Sequence, residues 1–311
     1  LKSLGDRSLK TPGTIGAPEF KAATDTQVTT PYSTLLTEYD RSIVLPNRPR
    51  PVIADLLGSG TISGQAITYP VWGALEGGSA TVAEGGAKPQ MHVADPTFRT
   101  DALSEIAGWF KMTDDMAEDL AFVVSEINST ALYDLATKEE AQLLSGNGTS
   151  PNLMGILNRS GVQTETQAVA PDTAADTIFR ALTKVQTATG MTADGIVINP
   201  ADYQALRLAK DSNGQYFGGG FFAGQYGNGT LTAQPDLWGL RTVVTAAIPA
   251  KTVLVGAFAS AATVYRKGGV RVESTNSHAD DFTNDKITVR VRERVALAVR
   301  YPAAFVKVTV L

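Results

Sequence analysis

The chain has no cysteine. Disulfides, thiolate metal sites and a cysteine nucleophile are therefore excluded, and packing and interfaces alone must hold it together. Histidine is scarce as well, with only His92 and His278. No apolar run approaches the roughly 18 residues that a membrane-crossing helix needs, so no membrane partner is expected. A basic excess is also missing. Lys and Arg number 27 against 31 Asp and Glu, for a net charge of −4, which leaves no general footprint for tight nucleic-acid binding.

What is present describes a folded protein. Hydrophobic residues make up 43% and charged residues 19%, a balance that supports a sizeable core and argues against disorder. At 311 residues the chain exceeds a usual single domain, so two domains or one domain with long extensions is expected.

The first 50 residues mix Gly, Pro, Ser and Thr and end in LPNRPRP (Leu45 to Pro51). Prolines at 12, 18, 31, 46, 49 and 51 exclude a long helix, and the segment reads as an extended arm laid along something else. Residues 56–103 read as a long hairpin. Ile67, Tyr69 and Val71 alternate with Ala66, Thr68 and Pro70, the period of a strand, and a glycine-rich tip follows from Gly73 to Gln90. A lone two-stranded ribbon is marginal in water, so this hairpin needs a partner from another subunit.

Glu105 to Met112 reads as a strand. Thr113 is a good N-cap with Asp114 and Asp115 behind it. Met116, Leu120, Val123, Val124, Ile127, Ala131 and Leu135 recur at helical spacing. The pattern predicts one helix of roughly 45 Å, stopping at Gly146. Beyond it, helices are expected at Ala175–Thr189 and Pro200–Lys210. Strands are expected at Gly195–Asn199, Leu240–Thr245, Thr252–Gly256, Ala262–Arg266, Val270–Glu273, Ile287–Val299 and Ala304–Val310. In the strand at 287–299, Ile287, Val289 and Val291 alternate with Thr288, Arg290 and Arg292, which predicts one buried face and one exposed basic face. The fold class is α+β, without internal repeats.

The search for chemistry returns little. His278 sits beside Ser277, Asp280 and Asp281, but no GxSxG elbow accompanies them, and clustered neighbours of this kind are usual in turns. Asp280, Asp281, Asn284 and Asp285 could ligate calcium, yet their spacing is not that of an EF-hand, and a solvated acidic turn is the simpler reading. GSGTISG (Gly58 to Gly64) has the wrong glycine spacing for a dinucleotide loop. The loop GQYFGGGFFAGQYGNG (Gly214 to Gly229) lacks Lys and Arg, so its aromatics read as flexible contacts with a neighbouring subunit. No catalytic residues, cofactor or metal are expected.

Taken in order, these parts resemble the major capsid proteins of tailed phages, the Hong Kong 97-like family. KSLGDR (Lys2 to Arg7) is similar to the junction between a removable scaffolding segment and the mature subunit. VAEGGAKPQ (Val82 to Gln90) is similar to the E-loop tip. LATKEEAQLLSGNGTSPNLMGILN (Leu135 to Asn158) is similar to the end of the spine helix and the turn after it. The segments beginning GIVINPADYQ, LWGLRTVVTA and DDFTNDKITVRVRERVALA then follow the family's order to the C-terminus.

The resemblance implies a Hong Kong 97-like capsid fold: an N-terminal arm at 1–35, an E-loop at 56–103, a peripheral (P) domain from 36–55, 104–150 (with the spine helix) and 268–299, and an axial (A) domain from 151–267 with a C-terminal strand at 300–311. It implies a subunit whose partner is itself, in hexamers and pentamers of an icosahedral virion shell assembled in the host cytoplasm. Portal and cement or decoration proteins are further partners, and double-stranded DNA is enclosed without sequence-specific binding. An encapsulin, a nanocompartment shell of the same fold, is the alternative. In some members an E-loop lysine is joined to a neighbour's asparagine with help from a glutamate. Here Lys88 falls at the lysine, Asp285 at the asparagine and Arg292 at the glutamate. A carboxylate cannot release ammonia as a carboxamide does, and arginine stays protonated. A covalent crosslink is therefore expected to be absent, with Lys88 making at most a salt bridge.

Overall fold

The computed structural model describes residues 48–73, 75–119, 121–169, 172–210, 213–214 and 236–310. The expected arm at 1–35, the first P segment as far as residue 47, and the aromatic loop from 215 onward lie outside the described residues.

Along the chain, a short helix α1 (Ile53–Leu56) leads into β1 (Gly58–Thr61), β2 (Ala66–Val71), β3 (Leu75–Glu76), β4 (His92–Val93), β5 (Thr97–Ala102) and the ten-residue β6 (Ser104–Thr113). Helices α2 (Asp114–Asp119) and α3 (Ala121–Ser145) follow, then β7 (Gln163–Thr166), α4 (Ala174–Thr189), β8 (Gly195–Ile198) and α5 (Pro200–Arg207). The remainder is β9 (Arg241–Val244), β10 (Thr252–Gly256), α6 (Phe258–Ala261), β11 (Ala262–Arg266), β12 (Arg271–Thr275), β13 (Lys286–Val299) and β14 (Phe305–Thr309). The mixture is α+β, as the sequence pattern indicates.

Among the described residues, two five-stranded sheets organise the fold. The first runs β1-β11-β13-β12, with β6 on the other edge of β13. The second runs β7-β14-β10-β8-β9. The sheet assignment departs from the segment boundaries expected from sequence in two places. Gly58–Thr61 does not belong to the hairpin but pairs parallel with β11, and Ala262–Arg266 pairs with β13. The polar strand β7 carries no hydrophobic alternation and is missed by pattern reading. It is held at the sheet edge by parallel pairing with β14 and by Glu165, which receives Arg180 at 3.0 Å.

Local chemistry sets the ends of these elements. In α4, Thr173 and Asp176 form a reciprocal capping box and Gly190 closes the helix with φ 70°. The buried positions Thr177, Ile178, Ala181 and Val185 make one stripe against the second sheet. Asn199 accepts from Ala201 N at 3.0 Å ahead of Pro200, which starts α5.

The helix expected after Thr113 is present as α2 and α3, whose ranges flank residue 120, which lies outside the described residues. Thr113 does accept from Met116 N at 3.4 Å. The end of α3 is stitched by the motif that follows it. Asn158 Nδ2 donates to Ser145 O (2.9 Å) and Gly146 O (3.1 Å), Gly155 N donates to Gly146 O (2.9 Å), and Leu153 N donates to the Gln142 side chain (3.2 Å). These bonds satisfy carbonyls that a helix end leaves open.

The two sheets share a core. Leu143 and Leu144 of α3, Ile53, Ile156, Leu254, Phe258, Leu297 and Phe305 lie in one buried cluster, where each fully buried side chain contributes roughly 1.5–3 kcal/mol. Phe258 and Phe305 meet edge to face with centroids 5.3 Å apart. A second cluster packs Ile178 and Val185 of α4 on Ile196, Val255 and Val306.

Candidate assembly surface

The hairpin is built from β2 paired with β5, extended by β3 paired with β4. Most of its strand side chains are exposed, with Tyr69 the buried exception. Trp72 is 76% exposed and Phe98 72%, and Leu75, Met91 and Val93 are exposed as well. Large apolar side chains gathered on one projecting element mark an interaction surface.

The base of this hairpin is fixed. Arg159 Nη1 lies 2.8 Å from Asp101 Oδ1, and the same guanidinium donates to Leu297 O (2.9 Å) and Met154 O (3.2 Å). Tyr69 donates to Asp101 Oδ2 and to Val299 O, both at 3.0 Å. Burial and the neighbouring Asp101 carboxylate push the Tyr69 phenol up from its usual value. An open cleft of about 550 Å³ separates the hairpin base from the turn at 148–160. Pattern reading missed this anchor, because nothing in the sequence links residue 101 to residue 159.

A second surface is the strip of first sheet where β6, β13 and β12 lie side by side. Trp109 sits opposite Arg290, Ala107 opposite Arg292 and Glu105 opposite Arg294, while Arg271 and Glu273 lie across from Arg292 and Arg290 on the other edge. The basic face expected here is less open than its sequence suggests. Arg290 and Arg292 converge on Glu273 at 2.5 and 3.0 Å, and Arg292 and Arg294 approach Glu105 at 3.9 and 3.8 Å. Arg290 first, then Arg292, holds the Glu273 carboxyl below its ordinary value. Thr288, expected on the exposed face, is buried because its hydroxyl bonds Asp281 at 2.5 Å.

The three positions singled out from sequence are distributed as follows. Lys88 is exposed in the hairpin tip and makes no ion pair among the described residues. Asp285 is exposed at the start of β13 with φ 49°, its carbonyl accepting from Asp114 N at 2.8 Å. Arg292 lies seven residues further along, roughly 23 Å at strand spacing, and is committed to Glu273. One protomer therefore places Asp285 just ahead of β13 and Arg292 within it, while Lys88 sits at the end of the projecting hairpin.

The acidic turn before β13 also differs from expectation. Asp281 is buried rather than solvated, with Lys111 Nζ at 2.7 Å and Thr288 Oγ1 at 2.5 Å. Lys111 and then Thr288 hold its carboxyl below the usual aspartate value. Asp281 thus pins the turn to β6, and His278 packs beside Trp109 with ring centroids 5.9 Å apart.

Comparison with known proteins decides the family. The model of the phage capsid family matches residues 33–310. The chain belongs to the phage capsid family. Within that family, this capsid chain is 34% identical over 300 residues to the major capsid protein of Enterobacteria phage HK97, covering 96% of this chain and 74% of that one. A solved structure from Microbacterium phage Oxtober96 superposes with a TM-score of 0.73 at 16% identity, covering 91% of this chain and 99% of the other. One from Mycobacterium phage Bobi gives 0.72 at 16% identity, covering 91% and 98%. The fold of the capsid chain is of the Hong Kong 97 type.

Proposed function

We propose that this capsid protein builds the shell of a tailed-phage head as hexamers and pentamers of itself, enclosing double-stranded DNA without reading its sequence and catalysing no reaction. The observation that carries this reading is the hairpin, whose Trp72, Leu75 and Phe98 stand exposed on an element too thin to fold by itself. Head-to-tail contacts that lay such a hairpin across a neighbour are heterologous and close into rings. The first sheet with α3 serves as the peripheral domain and the second sheet as the axial domain. The Pro-rich segment at 1–35 serves as an arm across neighbours. A portal and decoration proteins complete a virion assembled in the host cytoplasm.

Lys88 approaches Asp285 of a neighbouring copy as a salt bridge without covalent closure. A carboxylate in place of a carboxamide supports this, as does the commitment of Arg292 to Glu273.

Electron microscopy of the purified protein near neutral pH tests the reading. Closed icosahedral shells of about 50 nm or more support it. Shells of only about 20–40 nm filled with protein point instead to a cargo-holding nanocompartment. Discrete small particles that never close, even with scaffold and portal supplied, overturn it.

A further inference from the structure

The long helix and the central strand meet through two carboxyl groups. Glu139 projects from the buried last third of α3 and is 7% exposed; Glu293, on β13, is 3% exposed. Glu293 alternates in step with Val291 and Val295, which places it on the face that packs against the helix. Arg266 of β11 forms an ion pair with Glu139 through Nη2 and Oε1. Glu293 has no such partner among the described residues. Its Oε1 is buried without a hydrogen bond among the described residues, and Arg266, which holds Glu139, lies across from Val295, two residues along the same strand. Two carboxylates side by side in a dry site cannot both stay charged without large cost.

We propose that Glu139 and Glu293 form a proton-operated latch between α3 and β13, closed while they share a proton and loosened by their repulsion when it leaves. Burial first, and then the charge of Glu139, push the Glu293 carboxyl up to about 7, against the pull of Arg266. Other charges nearby are committed elsewhere. Glu140 accepts from Val52 N at 3.3 Å. Arg292 and Arg294 alternate to the opposite face, where they meet Glu273 and Glu105. Lys111 of β6 is held by Asp281, and Asp55 of α1 by Arg50. Lys138, next to Glu139, is the remaining cation on this stretch of helix. Because the folded value lies above the ordinary 4.5, the latch's stabilisation is fully present below 4.5 and is lost as pH rises through about 7.

The inference rests on contacts within one protomer and does not depend on the shell reading. Hydrogen exchange across residues 135–145 of the purified protein, corrected for intrinsic chemistry, tests it at about pH 6 and about pH 8. Protection should fall about tenfold between the two, the change expected as a group titrating near 7 empties. In Glu293→Gln that difference should vanish, with protection staying at its pH 6 level. Equal protection in the wild type at both pH values overturns the latch, as does a Glu293→Gln protein that keeps the tenfold drop. A Glu293→Gln chain that cannot fold at pH 6 overturns it too, since an amide has the shape of the neutral acid.

Discussion

Arg159 Nη1 stands 2.8 Å from Asp101 Oδ1, so the turn that closes the long helix also grips the base of the projecting hairpin. Their side chains are only 9% and 13% exposed, and Tyr69 holds the second oxygen of Asp101. The direction of the hairpin is thus written into one protomer, before any neighbour arrives to cover it.

Removing one side of this anchor should be costly. Arg159→Ala leaves a nearly buried carboxylate with Tyr69 alone, and is expected to destabilise the protein by about 3 kcal/mol. Denaturant unfolding measures that loss. Limited proteolysis should show faster cleavage in the tip at 77–91, whereas unchanged cleavage would mean that the anchor does not restrain the hairpin.

The exposed apolar residues of the hairpin should behave in the opposite way. Trp72→Ser and Phe98→Ser remove little buried area from the protomer, so its stability should change by about 0.5 kcal/mol or less. Shell yield should fall sharply. Normal shells from the double variant would place the subunit contact elsewhere.

Gly155 allows a close backbone approach. A Cβ there would stand 2.5 Å from Gly146 N and 2.7 Å from Leu144 O, and neither backbone atom can swing aside. Gly155→Ala is expected to cost about 3 kcal/mol or to prevent folding, read by denaturant unfolding and soluble yield.

Asp281 provides an acid-sensitive joint. Lys111 and Thr288 hold its folded value below the ordinary 3.8. Its contribution is therefore present above that value and lost as pH falls through the lower folded one. Hydrogen exchange over 276–285 should rise on acidification below about pH 4 in the wild type. In Asp281→Asn it should already be raised at neutral pH, with a weaker acid response.

Lys88 and Asp285 give a yes-or-no result on a gel. Particles boiled in denaturant should run as one monomer band, because the carboxylate at 285 cannot undergo the ammonia-releasing closure. A ladder of covalent oligomers would show that another acceptor serves Lys88.

Much of the architecture was legible because it is periodic. The helix face read as Ile178, Leu182 and Val185 (with Ala181 buried more fully than Leu182), the run Gly195–Ile198 and the long strand ending at Val299 each announce their burial by spacing. The Gly146–Asn158 motif could be matched as a string. Only the coordinates explain it, through Asn158 capping α3 and Gly155 lying against Gly146.

By itself, the sequence determined the α+β class, the order of most elements, the projecting hairpin and the absence of thiol chemistry, because these follow from composition and local periodicity. Tertiary structure alone decided that Gly58–Thr61 and the polar β7 are strands, that Asp281 is buried, that Arg159 reaches Asp101, and that Glu139 faces Glu293. Each of these depends on residues far apart in the chain being brought together in a low-dielectric interior. Spacing along a sequence carries no information about such meetings, while their electrostatic and hydrogen-bonding consequences appear only once water has been excluded.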